Sequence, residues 1–505
     1  MKFINAQLNQ ITMYRLIVYY LIGLLVAAGG LSVLRVLPYD VFALLFEVGF
    51  LIAVCWITNK IFASAFNVPT NVESVYISAL ILALIITPPT QTSDLWFLFW
   101  AGVLAMASKF IVAINRKHLF NPVAFAVALT AFTINQTATW WVGNAPLFVF
   151  VVIGGVLIVH KIRRYDLVLA YLMTTLIASI GFAIFRRDDL MNTLIQTIVY
   201  SPMVFFACVI LTEPLTTPPT HTLQVIYGAI VGFLFTPQFH LGSFYFTPEL
   251  AIVIGNVFSY LVSPKAKLML ALKEKIQVAP DIWDFIFVPN QKFAFAPGQY
   301  MEWTLGHDDP DSRGNRRYFT LASAPTENQL RLGVKFYPNS SSFKKSMLAM
   351  KPGSEILAAQ LAGDFTLPMN AAEKCVFIAG GIGITPFRSM IQMLLDKRER
   401  RAIVLFYSNR FVSDIVYKDV FDRAQRSLGI KTIYTLTDKT RIPAGWGGKV
   451  GYIDSKMIRT EVPDYRDYTF YISGPNTMVE STRETLLKMG VLSSQIKTDF
   501  FPGLA

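Results

Sequence analysis

Two patterns of apolar positions divide the chain. From Tyr14 to Leu261 the apolar residues fall in long runs near 14–37, 41–59, 73–87, 94–114, 119–133, 146–160, 165–184, 190–211, 223–236 and 248–262. Several exceed the roughly 17 residues that a membrane-crossing helix needs. The runs at 73–87, 119–133 and 223–236 are short and flanked by Pro or Asn, as where helices break inside a membrane protein. Past Ser263-Pro264-Lys265 the pattern changes. Trp283–Val288 and Leu330–Phe336 read as strands, with turns at Ala296-Pro297-Gly298 and Lys351-Pro352-Gly353. No long helical pattern precedes Pro368, which predicts an antiparallel β-barrel. Strand and helix patterns then alternate, with strands at Cys375–Ala379, Ala402–Tyr407, Lys431–Leu436 and Tyr468–Ile472. That order predicts an α/β doubly wound sheet. The expected multi-domain organisation is an α-helical transmembrane domain over 1–264, a β-barrel domain over 265–369 and an α/β nucleotide domain over 370–505.

Charge supports this division. Charged residues number 21 in the first 264 positions and 57 in the remaining 241, against about 25% in an average soluble chain. With ten spans, the loops on one side hold eleven Lys and Arg and those on the other hold Arg35, Arg186 and Arg187. The positive-inside bias places both termini and the soluble half in the cytoplasm, as a multi-pass protein of the inner (plasma) membrane. The first apolar run is too long for a cleavable signal peptide, so none is expected. The net charge of +12 includes no basic run, so nucleic acid is not an expected partner. Cys55, Cys208 and Cys375 are too far apart in sequence for metal-ligand spacing. Three thiols also fall short of the four that an iron–sulfur cluster usually takes. Of the five histidines, no two share a helix, which disfavours a transmembrane di-haem site.

The membrane half repeats itself. Thr87-Pro88-Pro89-Thr90 and Thr217-Pro218-Pro219-Thr220 each follow an apolar run and precede another. Roughly thirty residues later come Asn121-Pro122 and Thr247-Pro248. The first copy falls outside, between spans three and four, and the second inside, between spans eight and nine. Five spans per copy make the two copies inverted, and inverted repeats with Pro-broken helices build sites near the midplane. A bare helix-ending turn explains Pro-Pro as well. Glu47 inside the second run and Glu213 beside Pro214 are candidate functional carboxylates. Asn121 is suited to bonding either the backbone freed by Pro122 or a bound ligand.

Three segments of the soluble half carry chemistry. Arg317-Tyr318-Phe319-Thr320 offers a cation, a ring and a hydroxyl, expected on one strand face. Those groups suit a pyrophosphate, a stacked ring and a ring nitrogen. Val376–Ala379 runs into Gly380-Gly381-Ile382-Gly383-Ile384-Thr385-Pro386 and then a helix. Glycines there let backbone N–H groups approach a phosphate at a helix N-terminus. Tyr471-Ile472-Ser473-Gly474-Pro475 repeats the strand-to-turn-to-helix order.

The soluble half resembles the ferredoxin–NADP reductase superfamily over essentially all of 266–505. By that resemblance, Arg317, Phe319 and Thr320 match the flavin motif, with Phe in place of the usual Tyr. Lys335, Ser341 and Ser342 fall on the segment that grips the flavin pyrophosphate. Gly380, Gly381, Gly383, Thr385 and Pro386 match the nicotinamide-nucleotide loop. Ser473, Gly474 and Pro475 match a Cys-Gly-Pro motif with Ser for Cys, so Thr320 and Ser473 are the catalytic candidates. Asp499 to Gly503, including Phe501, resembles the acidic-x-Phe ending. Arg410 follows the second strand of the dinucleotide domain, where an extra phosphate would be selected, and NADH or NADPH is left open.

The membrane half resembles the RnfD/NqrB family on Ile86-Thr87-Pro88-Pro89, His118 to Ala124 and Leu211-Thr212-Glu213-Pro214. The resemblance implies inverted five-helix repeats and electron transfer through a membrane flavin, with Asn121, Thr212 and Glu213 as cofactor-binding candidates. The Ser-Gly-Ala-Thr-like motif for covalent FMN is missing from Thr133–Asn144, so FMN or riboflavin there would be non-covalent.

The expected function is an FAD-dependent NAD(P)H oxidoreductase passing electrons through a membrane flavin to a quinone or outer-face acceptor. A partner subunit or flavoprotein is left open. The alternative is an ion or small-molecule transporter energised or regulated by its reductase half.

Overall fold

The computed structural model describes residues 8, 11–66, 72–114, 117–263, 268–291, 293–308, 310, 311 and 313–499. The chain divides between residues 267 and 268 into two compact units.

The first unit is helical: α1 (Met13–Val33), α2 (Val41–Phe66), α3 (Val72–Ile85), α4 (Asp94–Ile111), α5 (Pro122–Ile134), α6 (Ala145–Ile162), α7 (Tyr165–Arg186), α8 (Leu190–Ile198), α9 (Met203–Phe205, continued as a π-turn over Phe206–Ile210), α10 (His221–Phe235) and α11 (Pro248–Val262). Local chemistry sets the boundaries. Asn121 and Thr247 cap α5 and α11, each with Pro in the first turn, and Asn144 caps α6. Arg163 and Arg187 stop α6 and α7 in the left-handed region.

Every apolar run is helical, but not every helix spans. Among the described residues five helices, α1, α2, α4, α6 and α7, are long and apolar enough to cross a membrane. The bent pair α8–α9, kinked by 48°, makes a sixth if it is one span. Helices α3, α5, α10 and α11 have 14, 13, 15 and 15 residues, short of the roughly 20 that a bilayer core requires. The count of about ten full spans is therefore revised. The Pro and Asn flanks that shorten these runs also end the helices.

The helices pack in a pattern that recurs. In the first five, α4 packs on both α2 and α5, and α3 lies between α1 and α2. In the next set α10 packs on both α7 and α11, and the α8–α9 pair lies between α6 and α7. A two-residue hairpin stands before each Pro-led helix: β1 (Ala113–Ile114) with β2 (Lys117–His118), and β3 (His240–Leu241) with β4 (Phe244–Tyr245). Helix α1 meets α6, and α5 meets α11.

The second unit opens with β5 (Leu268–Ala279), β6 (Ile282–Pro289), β7 (Tyr300–Thr304), β8 (Arg316–Thr320), β9 (Leu330–Lys335) and β10 (Glu355–Ala362). These pair antiparallel in the order β8-β7-β10-β5-β6-β9. Alternate residues of β9, Leu330, Leu332 and Val334, are buried, as a half-buried strand requires. A two-turn helix, α12 (Ser342–Ala349), interrupts this stretch. It is too short to give a helical period in the sequence, but Ser341 caps it.

The sheet that follows is parallel: β11 (Cys375–Gly380), β12 (Ile403–Asn409), β13 (Lys431–Leu436), β14 (Lys449–Val450), β15 (Thr469–Ser473) and β16 (Ile496–Thr498), ordered β14-β13-β12-β11-β15-β16. Crossover helices include α13 (Thr385–Lys397), α14 (Lys418–Leu428), α15 (Ser455–Glu461) and α16 (Asn476–Lys488). Strand β11 is buried throughout because helices cover both faces.

Barrel and sheet lock together through buried polar contacts. Arg388 of α13 forms an ion pair with Glu327 and donates to Ala322 O at 2.9 Å. Ser389 donates to Ser323 O at 2.6 Å. Tyr417 donates to Asp284 at 2.5 Å, while Arg331 holds the other oxygen at 2.6 Å.

Candidate functional site

In the barrel, Arg317 and Phe319 share one face of β8 and both approach Phe343 of α12. The guanidinium lies 5.2 Å from its ring centroid and the Phe319 ring 6.2 Å. Arg317 is 1% exposed, donates from Nη1 to the carbonyls of Arg313, Gly314 and Arg316, and leaves Nη2 without a partner among the described residues. Burial brings its pKa down to about 10. Thr320 does not share that face, which corrects the expectation of a single face. Strand alternation turns it the other way.

The start of α12 stands beside this arginine. Ser341 accepts from Lys344 N at 3.3 Å, so its hydroxyl oxygen serves the helix cap. Ser342 Oγ accepts from Asp311 N at 2.9 Å and contacts His307 Nε2 at 3.0 Å. Lys344 is buried and donates to Lys335 O at 3.0 Å. Burial, then Arg317 and Arg313, lower its pKa to about 8. Lys335 itself turns its ammonium to the Tyr337 ring, 5.9 Å away, so Lys344 and not Lys335 is the buried cation here. Asp311 is pushed up by burial, but Arg313 and the N–H groups of Ser342 and Arg313 outweigh this and hold it at about 2. A helix N-terminus with Arg317, Lys344 and an orphaned guanidinium nitrogen suits a diphosphate, so these residues fit the FAD pyrophosphate.

The glycine turn after β11 lies against the turn after β15. A Cβ on Gly383 would stand 2.5 Å from both Gly474 N and Ser473 O. On Gly380 it would meet Met478 Sδ at 2.2 Å and Pro475 Cδ at 3.2 Å. Gly381 has φ +53 and faces open space. Two of the glycines thus serve close approach of the turns, and the third serves backbone conformation. Thr385 bonds back to Ile382 O at 3.2 Å, and Pro386 lies in the first turn of α13.

Ser473 donates to Asp499 Oδ2 at 3.0 Å, and the Thr320 hydroxyl lies beside the same carboxyl, where both hydroxyls favour its charged form. The two catalytic candidates, 153 positions apart in sequence, therefore meet on one carboxyl group. Burial pushes Asp499 up to about 7, against the two hydroxyls. Phe501 lies outside the described residues. Arg410 is exposed and stacks on Phe411 at 5.5 Å, with Arg441 at 5.4 Å from the same ring. Asp438 is held low by hydrogen bonds from Thr440, with help from both arginines.

The helical unit brings together residues from distant loops. Asn121 caps α5 with its oxygen and donates its amide to Glu213 Oε2 at 2.9 Å. Asn121 N donates to Asn256 Oδ1 at 2.7 Å, and Asn256 donates to Tyr227 at 3.0 Å. His118 lies 3.8 Å from Glu213, and Thr216 donates to it at 3.1 Å. Thr212 is not part of this network, because its hydroxyl donates to Cys208 O of the preceding π-turn at 2.7 Å. Asn256 and Tyr227 were missed, since a single polar residue in an apolar run carries no spacing signal.

A second polar point was also missed. Trp140 donates to the buried Glu249 at 2.9 Å. Its neighbour Trp141 donates to Ala83 O and Ile86 O at 2.9 and 2.7 Å, while the N–H groups of Thr139 and Trp140 reach Ile85 O at 2.8 Å. The loop lacking a covalent-flavin motif thus caps the open carbonyl end of α3.

Comparison with known proteins follows the division into units. Residues 142–267 match the NQR2, RnfD, RnfE family. Residues 377–484 match the oxidoreductase NAD-binding domain. The Ile86–Pro89 and His118–Ala124 segments lie outside the first match. Among curated relatives, the glycine betaine monooxygenase reductase subunit of Pseudomonas aeruginosa is 24% identical over 45% of this chain and 63% of its own length. A flavohemoprotein of Burkholderia sp. is 28% identical over 45% of this chain and 57% of its length. NADH-cytochrome b5 reductase 1 of Ajellomyces capsulatus is 26% identical over 47% of this chain and 80% of its length. The match with the first of these spans less than two thirds of that relative. The cytochrome b5 reductase domain of Ulva prolifera nitrate reductase aligns with a TM-score of 0.42 and 22% identity, over 47% of this chain and 98% of that one. Segments that match these two families therefore lie on one polypeptide.

Proposed function

We propose that the protein is a membrane-bound, FAD-dependent NAD(P)H:acceptor oxidoreductase whose reductase unit faces the cytoplasm. The meeting of Thr320 and Ser473 on Asp499 carries this reading. It sets two hydroxyls and a carboxyl titrating near neutrality where a barrel strand and the nucleotide-sheet turn converge. Arg317, Lys344 and the N-terminus of α12 hold the FAD diphosphate, and Phe319 supports the ring system. The turns at Gly380–Gly383 and Ser473–Pro475 seat the nicotinamide nucleotide. Bound FAD supplies the conversion of a hydride pair into single electrons. Ser473 and Thr320 orient the reacting partners, and Asp499 takes up or returns a proton.

The acceptor side belongs to the helical unit. Two inverted five-helix sets account for the recurring helix packing, the paired hairpins and the capped Pro-led helices. Asn121 and Glu213 would contact a non-covalent FMN or riboflavin between the sets, and a quinone or an outer-face carrier would take the electrons. Arg410 and Arg441 offer cations to an extra phosphate, whereas Asp438 offers an acceptor to a ribose hydroxyl, so NADH and NADPH are both to be assayed.

The deciding experiment is a flavin count per chain on detergent-purified protein, with acid extraction to separate FAD from FMN and riboflavin. One FAD together with one further flavin supports the full path. FAD alone removes the membrane flavin, and absence of any flavin or NAD(P)H oxidation removes the enzyme reading.

A further inference from the structure

Glu47 lies on α2, and neither of its carboxyl oxygens has a hydrogen-bond partner among the described residues. It is 0% exposed. Every other carboxyl named in the helical unit has a partner: Glu213 has Asn121, Glu249 has Trp140, and Glu73 has Arg15. A wholly buried carboxylate without a counter-charge is strongly disfavoured as the ion.

Among the described residues, the elements around Glu47 bring no compensating cation near. Leu44, Glu47, Leu51 and Cys55 form the buried stripe of α2. Cys55 contacts Gly102 of α4, and Phe62 and Phe66 stack on Phe110, so α2 and α4 pack side by side in the same direction and Glu47 is level with the start of α4. There Asp94 is half-buried and occupied by Thr90 and Gln91. Lys109, at the far end of α4, binds Ser74 and Ser78, roughly 22 Å further along at the helix rise per residue. Arg15 pairs with Glu73 at that same far end of α3. Arg35, on the preceding loop, is exposed. The titratable group facing Glu47 is the Tyr39 phenol, whose ring packs on Trp141 at 4.9 Å. Trp141 caps the carbonyl end of α3, which adds negative potential to this region.

We propose that Glu47 is a proton-binding site inside the membrane unit, carried as the uncharged acid and able to exchange its proton when charge enters the unit. A metal cation is the less suitable occupant. Sodium needs several oxygens, and the nearby α3 carbonyls already accept from Trp141, Thr139, Trp140 and Val142. The site does not depend on the electron path proposed above, since its test uses neither nucleotide nor flavin.

The test treats the full-length protein in liposomes with dicyclohexylcarbodiimide, an apolar reagent. The acid adds across a C=N bond: the carboxyl oxygen bonds to carbon, the proton goes to nitrogen, and nothing leaves. Rearrangement then gives a stable N-acylurea of unchanged mass. Peptide mass spectrometry should find the adduct on Glu47, more than tenfold above that from a water-soluble carbodiimide. Exchange of wild-type protein into D2O should shift an infrared acid-carbonyl band that Glu47→Gln lacks. An unlabelled Glu47, equal labelling by both reagents, or protection by Na+ but not by K+ would each overturn the proposal.

Discussion

The amide of Asn121 and the carboxylate of Glu213 are joined at 2.9 Å across 92 positions of sequence. The same Asn121 accepts from Val123 N and Ala124 N at 3.1 and 3.0 Å. Replacing it with Ala removes an N-cap, worth about 1 kcal/mol, and leaves a part-buried carboxylate short of a donor, worth about 1–3 kcal/mol. Asn121→Ala is expected to lower the thermal midpoint of the helical unit in detergent by several degrees. NAD(P)H oxidation with a soluble acceptor should be retained, because that chemistry lies in the other unit. An unchanged midpoint would show that the pair is incidental.

Asp499 supplies a pH dependence with a definite sign. Its folded value near 7 is raised from 3.8 by burial. The protonated form is therefore favoured by folding. The associated stability is full below about pH 4 and is lost as pH rises through about 7. Denaturant unfolding of wild type and Asp499→Asn should nearly coincide at about pH 4, with the variant gaining relative stability at about pH 8. The wild-type turnover profile should also carry a break near neutrality that the variant lacks. Parallel profiles for the two proteins would remove Asp499 from proton transfer.

Much of this was readable in advance, and the exceptions have physical reasons. Apolar runs and strand alternation are local, so Trp283–Val288 and Lys431–Leu436 reappear within one or two residues of β6 and β13. Asn121 and Glu213 stood beside prolines, which mark broken helices. Their contact with each other was not readable, because pairing between distant loops leaves no period. Glu249 stands in the first turn of a helix, where a Glu is usual chemistry and carries no functional signal. Its burial against Trp140 is a tertiary fact. Lys344 carried no signal, because strand position, as at Lys335, is visible in sequence, whereas burial under a two-turn helix is not.

Lys344 makes a prediction about cofactor affinity. In the flavin-free protein its value is lowered from 10.5 to about 8, with burial the main cause and the neighbouring guanidiniums assisting. A diphosphate favours the charged ammonium. FAD affinity should therefore be flat below about pH 8 and weaken by up to tenfold per unit above it. Lys344→Met should bind FAD more weakly and flatten that upper limb. Titration of the flavin-stripped protein by fluorescence quenching checks both points. A wild-type affinity independent of pH between about 7 and 10 would place the diphosphate away from Lys344.

Gly383 separates the role of close packing from that of backbone freedom. A Cβ there meets Gly474 N and Ser473 O at 2.5 Å, and both atoms are backbone, so no side chain can swing away. The two turns must move apart, and Ser473 then loses its place on Asp499. Gly381 stands two residues earlier with open space around it and φ +53. Alanine there pays only the left-handed backbone cost, about 1–2 kcal/mol. Gly383→Ala is expected to keep FAD, held by the barrel, while kcat/KM for NAD(P)H falls more than tenfold. Gly381→Ala should lose stability with a much smaller kinetic effect. Flavin content and steady-state kinetics on both variants test the contrast. Equal losses in the two would mean that the turn serves by conformation alone and that its contact with the Ser473 turn contributes nothing to catalysis.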